Sequence, residues 1–396
     1  MTEAATIDRE PFYSTDGEIA VINLNSARLR SWSRFFQRPL EPGTAEIVIE
    51  QEQFTAQFVG DVSALDRLES LAKHLVQLDP ASARTALIQA KIASMAHRFS
   101  DARHYLAQAD LGGAASVDVT HLRLNLDQAC GLNLDAVMDT RRKVATKSER
   151  WEDLVSLGSL LADLREFAEA DHVYRRALLG YQDVSPFAIA WVYFQLGVLW
   201  GELVPEPDLA LAERWYRKAI TCLPGYVKAR VHLAEVYSSY GWLNEAEALL
   251  VPALASGDPE ANWRLSDVLA ADGKRFEADA QLDAARSRFE ALLERHLLAF
   301  ADHGAEFYSG SGNDALRALK LARINLSNRP TLRAFEQAHA TALAAGESRA
   351  ATELLADAHT RWGSTAAFQC SSLAMGTTAV AGREDRAAGS LMNLTQ

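Results

Sequence analysis

In the stretch LGSLLADLREFAEADHVYRRAL, residues 157–178, small residues stand at regular offsets among large apolar ones. Gly158 costs about 1 kcal/mol relative to Ala inside a helix, so a packing contact should compensate for it. Two antiparallel helices that cross closely need small side chains at the crossing and large ones beside it. We therefore predict a helix pair in which Gly158 and Ala170 form the contact, flanked by Leu161 and Tyr174.

This arrangement recurs along the chain. An Ala occupies the Ala170 position at eight places that lie 32 to 42 residues apart, most often 34. These positions are Ala102, Ala136, Ala170, Ala212, Ala246, Ala278, Ala315 and Ala351. Seven residues after each of them an Ala stands again, except after Ala136, where Lys143 takes its place. A period of this length, built from two amphipathic helices, is typical of a repeat architecture.

The repeat resembles that of the tetratricopeptide repeat (TPR) superfamily. The unit at 227–258 shows the family's pattern of a large–small pair, a turn glycine and small residues in the second helix. The residues are Leu233, Ala234, Tyr237, Gly241, Ala246, Leu250 and Ala253, and the likeness covers 61–363. It implies an all-α, right-handed α-solenoid of about eight TPR-like helix pairs, whose first helices line a concave surface.

Residues 1–60 do not follow the repeat and are predicted to form an N-terminal cap. We expect a helix across 26–36, whose arginines face either an anionic surface or, as we favour, solvent above an apolar underside. The β-branched stretch 46–60 predicts a strand or hairpin, which makes the cap a small α/β unit. Residues 364–396 predict an irregular or disordered tail, or a segment that binds the protein's own concave surface.

Composition argues against several classes of function. The net charge of -12 disfavours nucleic acid, and the most apolar run, 187–200, is interrupted by Gln195 and too short to cross a bilayer. The polar start indicates a cytoplasmic protein. Three cysteines without a CxxC spacing, Cys130, Cys222 and Cys370, predict free thiols that serve as buried packing residues. We find no catalytic motif and expect no cofactor and no metal.

The resemblance implies a non-catalytic scaffold or adaptor that binds a protein or peptide segment in the concave groove. Residues at the groove positions of the family's register are Lys91, His121, Asn125, Ser159, Trp191, Phe194, Lys228, Glu235, Trp263 and Tyr308. They do not form the Lys and Asn set with which one subgroup grips a C-terminal carboxylate, so we predict an aromatic, partly apolar groove. A peptide-responsive regulator and an accessory subunit of an enzyme complex remain alternatives, and the sequence does not define the oligomeric state.

One histidine permits two interpretations. His303 falls in a core column of the repeat, with Asp302 and Glu306 nearby and His296 two turns earlier on the same helix face. These residues could form a metal or acid–base site. We favour the other interpretation, in which His303 and His296 are hydrogen-bonded histidines of the core.

Overall fold

The computed structural model describes residues 14–374, which fold into helices and their connections without a β-strand. Three helices come first: α1 (Gly17–Gln37), α2 (Thr44–Phe54), which continues into a π-helical segment (Thr55–Val59), and α3 (Ala64–Leu78). Eight helix pairs follow: α4 (Ala83–Met95) and α5 (Phe99–Leu111), α6 (Ser116–Ala129) and α7 (Leu134–Ser148), α8 (Trp151–Asp163) and α9 (Phe167–Gly180), α10 (Pro186–Val198) and α11 (Leu209–Cys222), α12 (Val227–Ser239) and α13 (Leu243–Ala253), α14 (Pro259–Ala271) and α15 (Arg275–Arg295), α16 (Leu297–Ser309) and α17 (Ala315–Asn328), α18 (Leu332–Ala344) and α19 (Ser348–Trp362). A short helix, α20 (Ala366–Gln369), comes last. The predicted all-α solenoid of eight TPR-like helix pairs is confirmed.

The small residues of a unit lie at close contacts between its two helices, but the nearest neighbour of Gly158 is the Tyr174 ring and not the predicted Ala170. A Cβ atom added to Gly158 would lie 2.8 Å from the ring of Tyr174, and one added to Gly197 would lie 2.4 Å from the ring of Tyr216. Ala170 and Ala246 are fully buried at the equivalent crossings of the second helices. Gly158 is therefore explained by the aromatic ring packed directly on its backbone.

The predicted α/β cap is wrong, because residues 46–60 are helical. Ala45, Val48, Ile49 and Glu52 are buried and follow the i, i+3, i+4, i+7 spacing of one helix face. The Glu46 carboxylate accepts a hydrogen bond from the backbone N–H of Gly43 at 3.0 Å, which caps the helix start. The β-branched run therefore fits a helical period as well as a strand, and packing decides for the helix.

The early part of the solenoid packs against its late part. His296 and Asp66 of α3 are hydrogen-bonded at 2.8 Å, and the Asn328 amide donates to the backbone oxygen of His97 at 2.9 Å. Further along, the Arg165 guanidinium donates to both carboxylate oxygens of Glu336, at 2.6 and 2.7 Å. These contacts join early helices of the solenoid to late ones, which limits how far the space between them can widen.

Up to residue 374, the C-terminal segment is packed against the last unit and is not a free tail. Phe368 and Leu373 are buried against Trp362 and Phe335 of the last unit. The predicted tail spans 364–396, of which residues 364–374 pack on the last unit, whereas residues 375–396 lie outside the described residues. Within 14–374 no helix has the length and apolar character to cross a membrane.

The three cysteines are free thiols but only one of them is a buried packing residue. Cys130 is buried, Cys222 is half-buried and Cys370 is exposed. The expectation that all three serve as packing residues is therefore wrong for Cys370. It follows the last long helix, where its backbone oxygen accepts a hydrogen bond from Arg165 at 3.1 Å.

Candidate interaction surface

A line of ion pairs connects the first helices of consecutive units. The charge ladder, as we name it, consists of Glu202, His232, Glu235, Arg264 and Glu306. Its residues stand on α12, α14, α16 and the π-helical segment that ends α10 (Leu199–Leu203). The ladder therefore gives a charged character to the side of the solenoid on which the first helices of consecutive units meet.

The distances within the charge ladder are short. His232 Nδ1 lies 2.6 Å from Glu202 Oε1 and 3.7 Å from Glu235 Oε2. The Arg264 guanidinium lies 2.5 Å from Glu235 and 3.0 Å from Glu306. Arg264 thereby ties three successive first helices together. Its guanidinium also stacks on the ring of Trp263, 3.6 Å from the centroid, which fixes the direction in which the side chain extends.

A second group of charges lies beside the charge ladder on α14 and α16. His303 is hydrogen-bonded to Glu260, and Asp302 is paired with Arg329 at the end of α17. The His303 side chain remains 41% exposed, so it is hydrogen-bonded but is not a core histidine. His296, in contrast, has both features of the predicted core histidine, since it is buried and bonded to Asp66.

The ionisation states follow from these neighbours. Burial by itself lowers the pKa of His232, but the Glu202 carboxylate outweighs it, and the pKa is raised to about 9. Burial correspondingly raises the pKa of Glu202, but the charge of His232 and a hydrogen bond from the Tyr216 hydroxyl lower it to about 2. The pair is therefore an imidazolium and a carboxylate at neutral pH.

The charges around His303 are linked in the same way. The Asp302 carboxylate, more than the opposing effect of burial, raises the pKa of His303 to about 9. Burial and the nearby Glu260 carboxylate raise the pKa of Asp258 to about 6. The pKa of Glu260 itself is lowered, because the charge of His303 outweighs burial. At neutral pH this group carries charges of both signs.

A cavity of about 380 Å³ adjoins the His303 group. Its polar lining includes Gln57, Lys228, Asp258, Glu260 and His303, and Phe300 forms part of its apolar wall. The cavity lies where the N-terminal helices α2 and α3 meet the first helices α12, α14 and α16 of later units. It therefore has polar groups that converge from distant parts of the chain, which is a common property of binding sites.

The N-terminal helices cover the start of two first helices. The Phe58 ring lies 5.1 Å from the ring of Phe187 on α10 and 5.0 Å from that of Tyr226, just before α12. Gly60 is in close contact with Val227. These contacts occupy one edge of the solenoid, whereas Arg264 and Glu306 of the charge ladder keep part of their side chains exposed.

Most of the aromatic side chains predicted to line the groove are buried in the helix packing. Phe194, Trp263 and Tyr308 are buried between helices, and Trp191 is half-buried with its ring 6.4 Å from that of Tyr174. The Trp263 Nε1–H donates to Ser311 Oγ at 2.9 Å, so its polar edge is also satisfied within the fold. These aromatic side chains stabilise helix packing and present little surface to a ligand.

The predicted polar groove residues divide into those near the ladder and those apart from it. Glu235 belongs to the charge ladder, and Lys228 lines the cavity. The others stand on earlier units and do not join them. Lys91 is half-buried on α4, His121 and Asn125 are exposed on α6, and Ser159 on α8 accepts a hydrogen bond from Gln128 at 3.3 Å. Asn125 also accepts one from Arg141 at 3.0 Å.

Sequence reasoning missed most of the charge ladder, although a signal exists. The column directly before the large–small pair is polar in five consecutive units: Ser156, Gln195, His232, Arg264 and Asp302. The metal interpretation of Asp302, His303 and Glu306 is replaced by ion pairs, since Asp302 binds Arg329 and Glu306 binds Arg264. Within 14–374 no three His, Cys, Asp or Glu side chains are grouped as a metal site requires.

No protein-family model matches the chain, and no curated protein matches it. Solved structures that match include MamA, 19% identical over 43% of this chain and 96% of that chain, with a TM-score of 0.36. YrrB, described as a TPR protein with an unusual peptide-binding site, is 16% identical over 58% and 95%, with a TM-score of 0.30. Yeast Tom70 is 12% identical over 92% and 97%, with a TM-score of 0.34. The TPR-like fold is shown by the helix pairs described above.

Proposed function

We propose that this protein is a non-catalytic interaction scaffold that binds a charged segment of another protein along its charge ladder. The observation that carries this proposal is the row of ion-paired, partly exposed side chains on successive first helices. A solenoid offers such a row over several units, which suits an extended or helical partner segment.

The chemistry of the charge ladder fits recognition of charge. Arg264 is held between two carboxylates and against the Trp263 ring, so little further ordering is needed when a partner's carboxylate approaches it. Glu306 is 53% exposed and offers the opposite charge one unit away. A partner segment with both signs of charge can therefore exchange ion pairs with the ladder without leaving a buried charge unpaired.

The remaining properties agree with a role in the cytoplasm. The three cysteines are unpaired, as in proteins of reducing compartments. The net charge of -12 repels nucleic acid, so the partner we propose is a protein or peptide. The ladder's titratable groups are engaged in ion pairs, which supports binding rather than catalysis.

Site-specific photo-crosslinking in the protein's own cell tests this function. A photo-reactive amino acid at Ser309, an exposed position about one turn after Glu306 on α16, should capture a defined partner that the same group at Glu353, an exposed position on the second helix α19, does not capture. The identity of the captured protein then separates a general scaffold from a regulator or an accessory subunit of an enzyme.

The dissociation constant of the purified partner tests whether the charge ladder is the binding surface. We expect Arg264→Ala to weaken its affinity at least tenfold, as loss of a central charged contact commonly does. Arg349→Ala, at a highly exposed position on α19, is the matched control and should leave the affinity unchanged. Equal crosslinking from both faces, or equal affinities of both variants, contradicts the proposal.

A further inference from the structure

Helix α1 carries large apolar side chains on the face that it turns away from the protein. Ile19, Ile22, Leu29 and Phe36 are each more than half exposed. The opposite face of α1 packs inward, with residues such as Leu24 and Phe35 buried. The predicted solvated arginines are present, since Arg30, Arg34 and Arg38 are exposed, but exposed apolar side chains stand beside them on the outer side of α1.

The exposed residues form a narrow seam at helical spacing. Positions 19, 22, 26, 29, 33 and 36 alternate steps of three and four residues, and Ser26 and Ser33 are the small members of this series. Steps of three and four place all six positions along one line, which is the pattern by which one helix packs against another. The seam is about 26 Å long, the length of a partner helix of similar size.

One end of the seam is already ordered for contact. The Phe36 ring stacks on Trp32, with centroids 5.5 Å apart, and Trp32 donates a hydrogen bond to the buried Glu52 at 2.6 Å. The Phe36 side chain is thus held in place although it is exposed. Binding to it costs less conformational entropy than binding to a free side chain.

The charges of α1 differ between its two ends. Asp16 and Glu18 stand at the start, whereas Arg30, Arg34 and Arg38 stand towards the end. Arg34 and Arg38 share one carboxylate, that of Glu41, so the C-terminal end keeps a positive excess. A partner helix that runs antiparallel and carries the same distribution places its acidic end beside this basic end. A second copy of α1 meets this requirement.

We infer that two copies of this protein pair through α1, with the two helices antiparallel about a two-fold axis. Such a pair is self-complementary, because the same seam supplies both sides of the interface. It places position 22 of one copy opposite position 33 of the other, and position 26 opposite position 29. A parallel pair would instead set the basic ends against each other and align the two helix dipoles unfavourably.

Light scattering after gel filtration of the full-length chain tests the pairing. The wild type should have twice the 43.4 kDa mass of one chain at high concentration and dissociate on dilution. Leu29→Glu, at the centre of the seam, should raise the dissociation constant at least tenfold. Leu316→Glu changes an equally exposed leucine on α17 and should leave the mass unchanged. Circular dichroism checks that both variants remain folded.

Two results overturn the inference. A wild type that stays at the mass of one chain up to about 100 μM shows that the seam is covered by another protein or by another segment of this chain, because even a small specific interface forms in the micromolar range. A dimer that Leu29→Glu leaves intact shows that pairing occurs elsewhere.

Disulfide crosslinking tests the direction of the helices. In a variant without Cys130, Cys222 and Cys370, the double substitution Ile22→Cys with Ser33→Cys should give a crosslinked dimer under oxidation. Ser33→Cys alone should not, because an antiparallel pair separates the two copies of position 33 by about 16 Å, beyond the reach of a disulfide. Efficient crosslinking by Ser33→Cys alone indicates parallel helices and contradicts the arrangement.

Discussion

Two kinds of contact hold the solenoid together, one within each unit and one between units. Within the unit of α10 and α11, the Tyr216 ring lies so close to Gly197 that even a methyl group has no room. Between units, Arg264 joins Glu235 and Glu306 through charges that water still reaches. The contact between Tyr216 and Gly197 fixes how the two helices pack and tolerates little change in side-chain size. The ion pairs of Arg264 can instead be replaced by ion pairs with another protein. Folding therefore depends on the crossings, whereas the binding proposed above uses the ladder.

The largest expected effect comes from filling a crossing. Gly197→Ala places a Cβ atom 2.4 Å from the Tyr216 ring, so ring and helix must move apart. We expect a loss of about 3 kcal/mol in the free energy of unfolding, measured by urea denaturation. Gly225→Ala is the matched control, because the nearest heavy atom to its new Cβ is Val21 Cγ2 at 3.8 Å. Equal stabilities of the two variants would show that the crossing is not tight.

A second crossing should respond in the same direction but less strongly. Ala246→Leu adds three carbon atoms at a fully buried position on α13, and we expect a loss of about 2 kcal/mol from overpacking. Ala356→Leu, at an exposed position on α19, provides the comparison. An unchanged denaturation midpoint for Ala246→Leu means that this alanine does not lie at a helix crossing.

The crossings were predictable because they repeat. Gly158, Gly197 and the alanines of the second helices recur at fixed offsets, and small residues have few reasons to do so other than close packing. The N-terminal helices do not repeat, and the β-branched Ile47, Val48 and Ile49 indicated a strand. Their helix is stabilised by distant partners such as Arg67, which donates to the buried Glu52 at 2.6 Å. No local pattern reveals that contact.

The charge ladder contributes a pH-dependent part of the stability. His232 faces Glu202, Glu235 and Glu260, and its pKa is raised from 6.5 to about 9. Its contribution is therefore fully present below pH 6.5 and is lost as the pH rises through 9. We expect the free energy of unfolding to fall over this range by about 1–2 kcal/mol, allowing for partial screening by water.

His232→Gln checks the origin of this pH dependence. Denaturation at pH 6.5 and pH 9 should differ less for this variant than for the wild type, since the group that loses its proton is gone. His121→Gln, at an exposed histidine on α6, should keep the wild-type difference. If His232→Gln retains the full difference, the imidazolium is not the group responsible.

The candidate site was less predictable than the fold because a helix turns by about 100° per residue. The predicted groove residues Phe194 and Trp263 each precede a member of the polar column, Gln195 and Arg264. An error of one residue in the register was enough to exchange a buried ring for a partly exposed polar side chain. The ion pairs themselves join residues about a repeat apart, and the sequence alone does not show which charges meet.

The smallest effect on stability should come from the exposed end of the charge ladder. Glu306→Gln removes one charge from the pair with Arg264, whose atoms are 3.0 Å apart, but Glu306 is 53% exposed. Water and salt screen such a pair, so we expect a loss below about 0.5 kcal/mol in the free energy of unfolding, measured by urea denaturation.

Binding of the partner captured by crosslinking should nevertheless weaken at least tenfold, because Glu306 is a charge that the partner would contact directly. A stability loss as large as that of Gly197→Ala would mean that the ladder specifies the fold as the crossings do. Unchanged stability together with unchanged affinity would remove Glu306 from the binding surface.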